Sequence, residues 1–290
     1  MLKSELHIHI NADPHHRKNI NYSAFQLIDE AVKQEFKVLA ITCHDWVYED
    51  KIAEDYALKK GILLIKGVER TIEGKHVLIY NLSNSEAQKI HTFEELKRFK
   101  QNNPKILVIA PHPFHWTPVC LRNKVIQYLD LFDAWEYSWY YTYGINPNRK
   151  TMKLAQRYHK PVVGCSDVHR IENLGKTYTL IDAKSYVHST IKSKSKQLSK
   201  LVRREVNSFR CGSLLMLLRN RMLPTGTQHL RTDIKDFEGA IHIPSVEDVF
   251  EAIKENKVKV VTKPLSWIRF ATIGVYVIKS VLDESFKTNQ

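Results

Sequence analysis

Length, composition and charge limit what this chain can be. It has 290 residues, 43% of them hydrophobic, which is enough for a substantial core in one α/β-barrel-sized domain or two smaller ones. The four cysteines lie far apart and form no C-x-x-C pair, which is more typical of reduced thiols than of a disulfide framework or a zinc ribbon. A strand is predicted close to Met1, no leader precedes it, and no apolar stretch is long enough to span a membrane, so we expect a cytoplasmic protein.

The formal net charge of +13 is concentrated in one segment. Residues 184–235 contain twelve Lys and Arg against two acidic residues, whereas eleven of the fourteen histidines precede residue 171. Basic charge and histidine therefore belong to different parts of the chain, and each favours a different chemistry.

Strands and helices alternate from the amino terminus. The first strand covers residues 5–10, and Ser23 caps a helix over 24–34. The apolar run at 38–42 is typical of a buried parallel strand. Further strands are predicted at 62–69, 75–80, 106–110, 135–137, 161–165 and 177–183, and further helices at 51–60, 92–101 and 148–158. Repeated strand-helix units of this kind close most naturally into a barrel.

Potential metal ligands lie on or directly after these strands. His7 and His9 are two residues apart on the first strand and point to the same side, which by itself is only a weak sign of a metal chelate. Nearly all of the remaining predicted strands are also followed at their carboxyl ends by His, Asp or Glu. Since that end of a barrel carries the functional site, we expect these side chains to meet at one mouth.

Taken together, these motifs resemble the PHP (polymerase and histidinol phosphatase) family of metal-dependent phosphoesterases. The resemblance covers residues 1 to about 183 and resumes at 244–267, which are similar to the closing helix and strand of that family. It implies an α/β fold, a distorted seven-stranded (βα)7 TIM-like barrel. The motifs are His7-x-His9, Thr42-x-His44-Asp45, Gly67-Val68-Glu69, His76, Ala110-Pro111-His112-Pro113 and Ser166-Asp167-x-His169.

The resemblance also implies two to three divalent metal ions, of Mn, Zn or Fe. The first would be held by His7, His9, Glu69 and Asp167. The second would share Glu69 and add His76 and His112. The third, which would complete a trinuclear site, would take His44, His169 and a residue of the loop after the first strand, where we prefer His15 to Asp13. Glu69, Asp167 and His169 are the residues we expect to be catalytic.

The chain departs from the family pattern at two places. The loop at residues 11–16 lacks the usual Ser-Asp-Gly, and Cys43 replaces an Asp. We take that Asp to be a supporting residue, so its loss leaves the first two metals intact and alters the hydrogen bonding around the third.

Imidazole and carboxylate donors suit phosphate ester hydrolysis. A hydroxide shared by two metals is a nucleophile at neutral pH, and no Ser or Cys is placed with a base to act instead. Arg17 and Arg170 could grip a phosphate, and His115 could touch the substrate. Glu136 could accept a hydrogen bond from a metal-bound histidine or form a structural salt bridge.

Four segments are predicted. They are a barrel core at 1–183, a basic and mainly helical insertion at 184–240, the closing helix and strand at 241–266, and an apolar tail helix at 267–290. The insertion either packs on the barrel as a helical cap or forms a basic arm for a nucleic acid or a membrane surface.

The first hypothesis is therefore a phosphoesterase acting on a nucleotide, a small phosphate monoester or a nucleic-acid end. The alternative is a non-catalytic or weakly active PHP-fold module that binds nucleic acid through residues 184–235 or contacts a membrane peripherally.

Overall fold

A computed structural model describes residues 1–16, 19–184, 186–188 and 241–275. The chain divides into two compact units, residues 1–185 with 243–290, and residues 186–242. Arg17 and nearly all of the predicted basic insertion lie outside the described residues, as does the tail beyond residue 275. The predicted domain boundaries therefore remain predictions.

The elements alternate as the sequence predicts. The strands are β1 (Leu2–Ile8), β2 (Val38–Ile41), β3 (Leu63–Ile72), β4 (Lys75–Tyr80), β5 (Leu107–Ala110), β6 (Ala134–Ser138), β7 (Val162–Cys165), β8 (Thr177–Ile181), β9 (Tyr186–His188), β10 (Ile241–Ile243) and β11 (Val258–Thr262). The helices are α1 (Ala24–Lys33), α2 (Lys51–Lys59), α3 (Asn84–Ala87), α4 (Phe93–Asn102), α5 (Lys124–Gln127), α6 (Asn148–Arg157) and α7 (Val246–Lys254), and residues 267–275 are also helical. None of the helices in the described ranges is long and apolar enough to cross a membrane.

The main sheet has nine strands, in the order β11-β8-β1-β2-β3-β4-β5-β6-β7, so the predicted count of seven is wrong. One reason is the hairpin at Glu73 and Gly74, whose positive φ angles of 47° and 71° reverse β3 into the antiparallel β4. The other is the final edge, where β8 runs antiparallel to β1 and β11 runs antiparallel to β8. Strands β9 and β10 form a separate two-stranded sheet.

The nine-stranded sheet curls until its two ends nearly meet. The hydroxyl of Thr179 on β8 accepts a hydrogen bond from the N–H of Gly164 on β7 and donates one to its carbonyl, both at 2.9 Å. A Cβ on Gly164 would lie 2.9 Å from the carbonyl oxygen of Tyr178, so only glycine allows this approach. Beyond it, the N–H of Val168 donates to the carbonyl of His7 at 3.0 Å. The result is a mixed α/β fold around a nearly closed, barrel-like sheet.

Apolar strands and amphipathic helices fill both sides of this sheet. All four residues of β2 are buried, as expected for a central strand covered on both faces. Helix α1 starts at a capping box formed by Ser23 and Gln26, and it buries Leu27 and Ile28 against the sheet. The ends of the strands are thereby held rigidly enough to position polar side chains at the mouth.

Candidate metal centre

Eight of the nine predicted metal ligands lie together at one mouth of the sheet. Their side chains come from β1 and the residues after it (His7, His9), the end of β2 (His44), β3 (Glu69), β4 (His76), the end of β5 (His112) and the loop after β7 (Asp167, His169). Three residues in these loops have left-handed backbone, with φ of 53° at Asp45, 29° at His112 and 45° at Asp167. Such conformations are costly for residues other than glycine and are common at functional sites.

Glu69 lies at the centre of the cluster and is buried. Its Oε2 faces Nε2 of His7, His9 and His44 at 3.2, 3.4 and 3.0 Å. Its Oε1 faces Nδ1 of His76 at 2.8 Å and Nε2 of His112 at 3.3 Å. The two carboxylate oxygens therefore face two different sets of imidazoles.

Asp167 faces the first of these sets from the other side. Its Oδ1 lies 3.4 Å from Nε2 of His7, 3.2 Å from Nε2 of His9 and 3.3 Å from Nδ1 of His169. A tetrahedral ion with ligands at about 2.0–2.1 Å holds those ligands about 3.3–3.4 Å apart. The spacing between His7, His9, Glu69 and Asp167 therefore fits a metal ion.

Several of the buried ligand atoms in this first group lack a hydrogen-bond partner in the part of the chain that the structure describes. Nε2 of His7, Nε2 of His9 and Oδ1 of Asp167 are buried and make no hydrogen bond of good geometry within the described ranges, although 3.2–3.4 Å separates them from opposite charges. Buried polar atoms that converge without hydrogen bonds are costly unless something else satisfies them. A cation among them would do so.

Among the described residues, potential metal ligands form three groups, and the ligand atoms within each group lie no more than 4.8 Å apart. They are His7, His9, Glu69 and Asp167; His9, His44 and His169; and His44, Glu69 and His76. The first reproduces the predicted first-metal set. His44 belongs to both the second and the third group, so it faces Glu69 as well as the predicted third site. His112 belongs to none of the three groups, and its Nε2 lies 3.3 Å from Oε1 of Glu69.

Buried carboxylates fix the orientation of the innermost imidazoles. Nδ1 of His7 lies 2.8 Å from Oε2 of Glu136, as one of the two sequence alternatives for Glu136 predicts. Nδ1 of His9 and Nδ1 of His44 lie 2.8 and 2.9 Å from the same atom, Oδ2 of Asp13. With Nδ1 bound in this way, each Nε2 keeps its lone pair for a metal.

Asp13 thus supports two imidazoles of the candidate site, whereas from the sequence we considered it only as the less favoured ligand of the third metal. Its Oδ1 accepts hydrogen bonds from the main-chain N–H groups of His15 and His16, at 2.9 and 3.2 Å. Both oxygens of Asp13 are therefore occupied by protein donors, and the residue supports two imidazoles. Its position four residues after His9 in a short loop was the only sequence signal for this role.

His15 lies apart from the three groups. Its side chain is half exposed, its Nε2 lies 3.5 Å from Oδ2 of Asp45, and its ring stacks on His44 at 5.4 Å. His16 is closer, with its ring 4.9 Å from the rings of both His44 and His169 and nearly edge-on to them. The geometry therefore favours His16 over His15 as the loop residue that borders the third group.

The predicted substrate-binding residues differ in position. His115 is buried, with its ring 6.5 Å from that of His112. Arg170 is exposed, and its Nε lies 3.7 Å from Oε2 of Glu172. Cys43 is buried, and its carbonyl accepts from the N–H of Glu69 at 3.2 Å.

Charges within the cluster shift the pKa values of its members. Burial alone would raise the pKa of Glu69, but the charges of His76 and His7 hold it well below its usual range. Burial alone would lower the pKa of His44, but Glu69 and Asp13 raise it to about 10. Burial, and then the charges of His169 and His44, lower the pKa of His9 to about 4. The site thus keeps its carboxylates ionised and favours positive charge near them.

A cysteine supports His112. Sγ of Cys120 lies 3.4 Å from Nδ1 of His112 and 3.0 Å from Oγ1 of Thr117, and all of these groups are at least partly buried. Nδ1 of His112 therefore contacts a thiol while its Nε2 faces Glu69. In His7, His9 and His44, by contrast, Nδ1 contacts a carboxylate. Nothing in the sequence indicated this contact, because Cys120 matches no motif.

The chain is similar to several solved structures at low sequence identity, including these three. PsfC from Pseudomonas syringae is 14% identical with a TM-score of 0.46, over 71% of this chain and 98% of that one. An amidohydrolase from Chromobacterium violaceum, with bound SO4 and no metal, is 12% identical with a TM-score of 0.41, over 57% and 87%. An inferred metal-dependent phosphoesterase from Bifidobacterium adolescentis is 14% identical with a TM-score of 0.41, over 58% and 87%. Similarity at this level carries neither fold nor activity over to this chain.

A family comparison is more specific. No curated protein matches the chain. Residues 146–192, which include Asp167 and His169, match a family model described as PHP-associated. This match agrees with the resemblance to the PHP family found in the motifs.

Proposed function

We propose that this protein is a metal-dependent phosphoesterase that hydrolyses a phosphate ester, namely a nucleotide, a small phosphate monoester or a nucleic-acid end. The observation that carries the proposal is the position of Glu69. Its Oε2 faces His7, His9 and His44 while its Oε1 faces His76 and His112. A carboxylate placed in this way can be shared by two neighbouring cations.

The donor set favours two to three divalent ions of Zn, Mn or Fe, because imidazole and carboxylate ligands suit these metals. Adjacent divalent ions polarise a phosphoryl oxygen and lower the pKa of water, which is the chemistry of hydrolysis. The protein's own residues hold and orient these ions: Glu69 between the groups, Asp167 across from it, and Asp13 and Glu136 behind the imidazoles.

The substrate would approach over Asp167 and His169. Their side chains are 25% and 33% exposed, whereas those of His7, His9 and Glu69 are at most 1% exposed. The main-chain carbonyl oxygen of Asp167 lies 3.2 Å from Nδ1 of His169 and orients this imidazole, the more open of the two side chains. We therefore assign Glu69, Asp167 and His169 to catalysis.

The second candidate function is a module that binds nucleic acid or a membrane surface. It rests on the twelve Lys and Arg between residues 184 and 235, of which all but Lys184 lie outside the described residues. Binding through that segment should weaken steeply with salt and disappear when residues 186–238 are removed. Turnover of a small monoester should depend on neither.

The deciding experiment combines metal analysis with hydrolysis of a monoester and diester panel. We compare the intact protein with the double variant Asp167→Asn, His169→Asn, and with a matched control, Asp55→Asn, His159→Asn, which changes two exposed residues. We expect at least two ions per chain and turnover that is lost only in the first variant. A chain that binds one ion or none, with turnover unaffected by Asp167 and His169, would rule out the phosphoesterase.

A further inference from the structure

Aromatic rings continue outward from the metal centre. The ring of His115 lies 6.5 Å from that of His112, and the ring of Trp116 lies 5.8 Å from that of His115. Trp116 then meets Tyr140 and Phe270 edge-on, each at 6.2 Å. We call His115, Trp116, Tyr140 and Phe270 the aromatic wall.

The wall is built from three separate segments that are fastened together. His115 and Trp116 follow β5, Tyr140 follows β6, and Phe270 lies in the helix at 267–275. Tyr140 stacks on Phe270 at 4.6 Å and 10°, and its hydroxyl donates to the carbonyl of Phe270 at 2.9 Å. The wall is therefore a firm support and not a set of loose side chains.

One large apolar ring on this support is left open. Trp116 is 52% exposed, although Phe270 and His115 beside it are buried. Its backbone is held in place, since Nη2 of Arg122 donates to its carbonyl at 2.9 Å. An exposed indole on a fixed backbone is suited to stacking against a flat group.

His115 supplies an unused polar atom between the metal centre and Trp116. It is 7% exposed, and its Nε2 makes no hydrogen bond of good geometry among the residues that the structure describes, although the side chain of Asn148 lies close to the ring. A buried nitrogen without a partner is costly unless a ligand satisfies it. A hydroxyl group located between a bound phosphate and the indole would be such a ligand.

Positive charge borders the wall on the side of the catalytic residues. Arg269 adjoins Phe270, and its Nη2 lies 3.4 Å from Oδ1 of Asn173. The N–H of Asn173 donates to the carbonyl of Arg170 at 2.8 Å, and both arginines are exposed. The mouth thus offers metal ligands, cations and an open aromatic face next to one another, which complements an anionic ester with a flat organic part.

We propose that Trp116 is the stacking residue of a subsite for the nucleobase of the substrate, with Nε2 of His115 hydrogen-bonded to its sugar. This inference rests on the proposed function, because the metal centre would hold the phosphate. The indole of Trp116 contacts the ring of His115 at 5.8 Å, and that ring contacts His112 at 6.5 Å, so the gap from the indole to the metal ligand is bridged by one intervening ring. An aryl group bonded directly to the phosphate would stay beside the metals, whereas a sugar between the phosphate and the base spans that gap.

The test compares two probes that differ only in the base. They are the methylene phosphonate analogues of adenosine 5′-monophosphate and of ribose 5-phosphate, which lack the scissile P–O bond. Binding to the metal-loaded full chain is measured by calorimetry for the wild type, Trp116→Leu, Trp116→Phe and a matched control, Trp46→Leu. Trp46 is another exposed tryptophan, at 45%, on the loop after β2.

We expect Trp116→Leu to weaken the adenosine probe by about 5- to 100-fold, the range for loss of one stacked base. The ribose probe should change less than about twofold, Trp116→Phe should recover most of the loss, and Trp46→Leu should bind as the wild type does. The subsite would be overturned if Trp116→Leu weakened both probes equally or weakened neither. It would also be overturned if the wild type bound the adenosine probe no more tightly than the ribose probe.

Two further arms separate the related questions. The first arm measures binding of a 5′-phosphorylated dinucleotide analogue. If it binds more tightly than the adenosine probe and is equally sensitive to substitution of Trp116, the substrate is a strand end. If it binds more weakly, the substrate is a free nucleotide, and both results support base stacking. Hydrolysis of the natural esters is measured separately. A base-dependent Kd without turnover would contradict the phosphoesterase and keep the subsite, while turnover without base dependence would do the reverse.

Discussion

Asp13 holds His44 at two points, because its Oδ2 lies 2.8 Å from the main-chain nitrogen of His44 and 2.9 Å from Nδ1 of its ring. The same oxygen lies 2.8 Å from Nδ1 of His9. One buried carboxylate therefore sets the tautomer of two imidazoles, which leaves both Nε2 atoms free to bind metal.

Replacing Asp13 with Asn should weaken metal binding by about 10- to 100-fold, the usual cost of removing a partner that orients a ligand. The amide has one acceptor oxygen. If that oxygen serves His9 and His44, the amide nitrogen faces the N–H groups of His15 and His16, and in the other orientation both rings lose their acceptor. Competition with a chelator measures the affinity. Asp55→Asn, at an exposed aspartate of α2, is the control, and equal affinity in both variants would contradict the role of Asp13.

Cys120 should matter through His112. Cys120→Val keeps the bulk but removes the acceptor 3.4 Å from Nδ1 of His112, so we expect about tenfold weaker binding of one ion. Cys120→Ser keeps an acceptor and should retain most of the affinity. Titration with Co²⁺, followed by its absorption spectrum, distinguishes the two. Wild-type titration curves for the valine variant would show that the thiol only fills space.

The seam of the sheet predicts a stability effect. In Gly164→Ala the new methyl group would lie 2.9 Å from the carbonyl of Tyr178, and main chain cannot easily move aside. We expect a loss of about 1–3 kcal/mol in the free energy of unfolding, measured with urea. Gly144→Ala is the matched control, since its methyl group would meet only the exposed side chain of Trp267 at 2.9 Å and should cost less.

Glu5 predicts a dependence on pH. It is buried beneath the site and accepts from the N–H of Ser166 at 3.0 and 3.1 Å. Burial raises its pKa to about 8, so between pH 4.5 and about 8 the folded state binds a proton that the unfolded state has lost. The stability contributed by Glu5 therefore falls as the pH rises through this window.

The variant Glu5→Gln lacks this titration. Relative to the wild type it should become more stable by up to about 4 kcal/mol between about pH 5 and about pH 8.5, since about three pKa units lie in this window and each corresponds to about 1.36 kcal/mol. Urea unfolding of both proteins across the range measures the difference. Glu94→Gln, at an exposed residue of α4, should show no such trend. A constant difference between Glu5→Gln and the wild type would contradict a raised pKa.

Much of the mouth could be predicted because strand periodicity and strand ends are local properties. His7 and His9 share a face of β1, and Glu69 and Asp167 follow apolar runs, so their meeting required only that the strands lie side by side. Strand direction is not local, which is why the antiparallel course of β8 and β11 was not predicted although both strands were, and why the seven-stranded barrel implied by the resemblance is wrong.

Loop conformation is the other part that the sequence left open. Asp13 and His15 both looked able to complete the third site, and only the folded loop shows Asp13 turned toward Nδ1 of two rings and His15 toward Asp45. The contact between Cys120 and His112 likewise depends on how the loop after β5 folds back. Side-chain partners of this kind follow from tertiary packing and leave no spacing signal.

The sharing of Glu69 has a thermodynamic consequence. One carboxylate contacts the His7, His9 and His44 set through Oε2 and the His76 and His112 set through Oε1, so two cations held by these sets would not bind independently. The first cation would fix the carboxylate for the second and would also repel it, and whichever effect is larger would act equally in both directions. The affinity of either set would then be defined only for a stated occupancy of its neighbour.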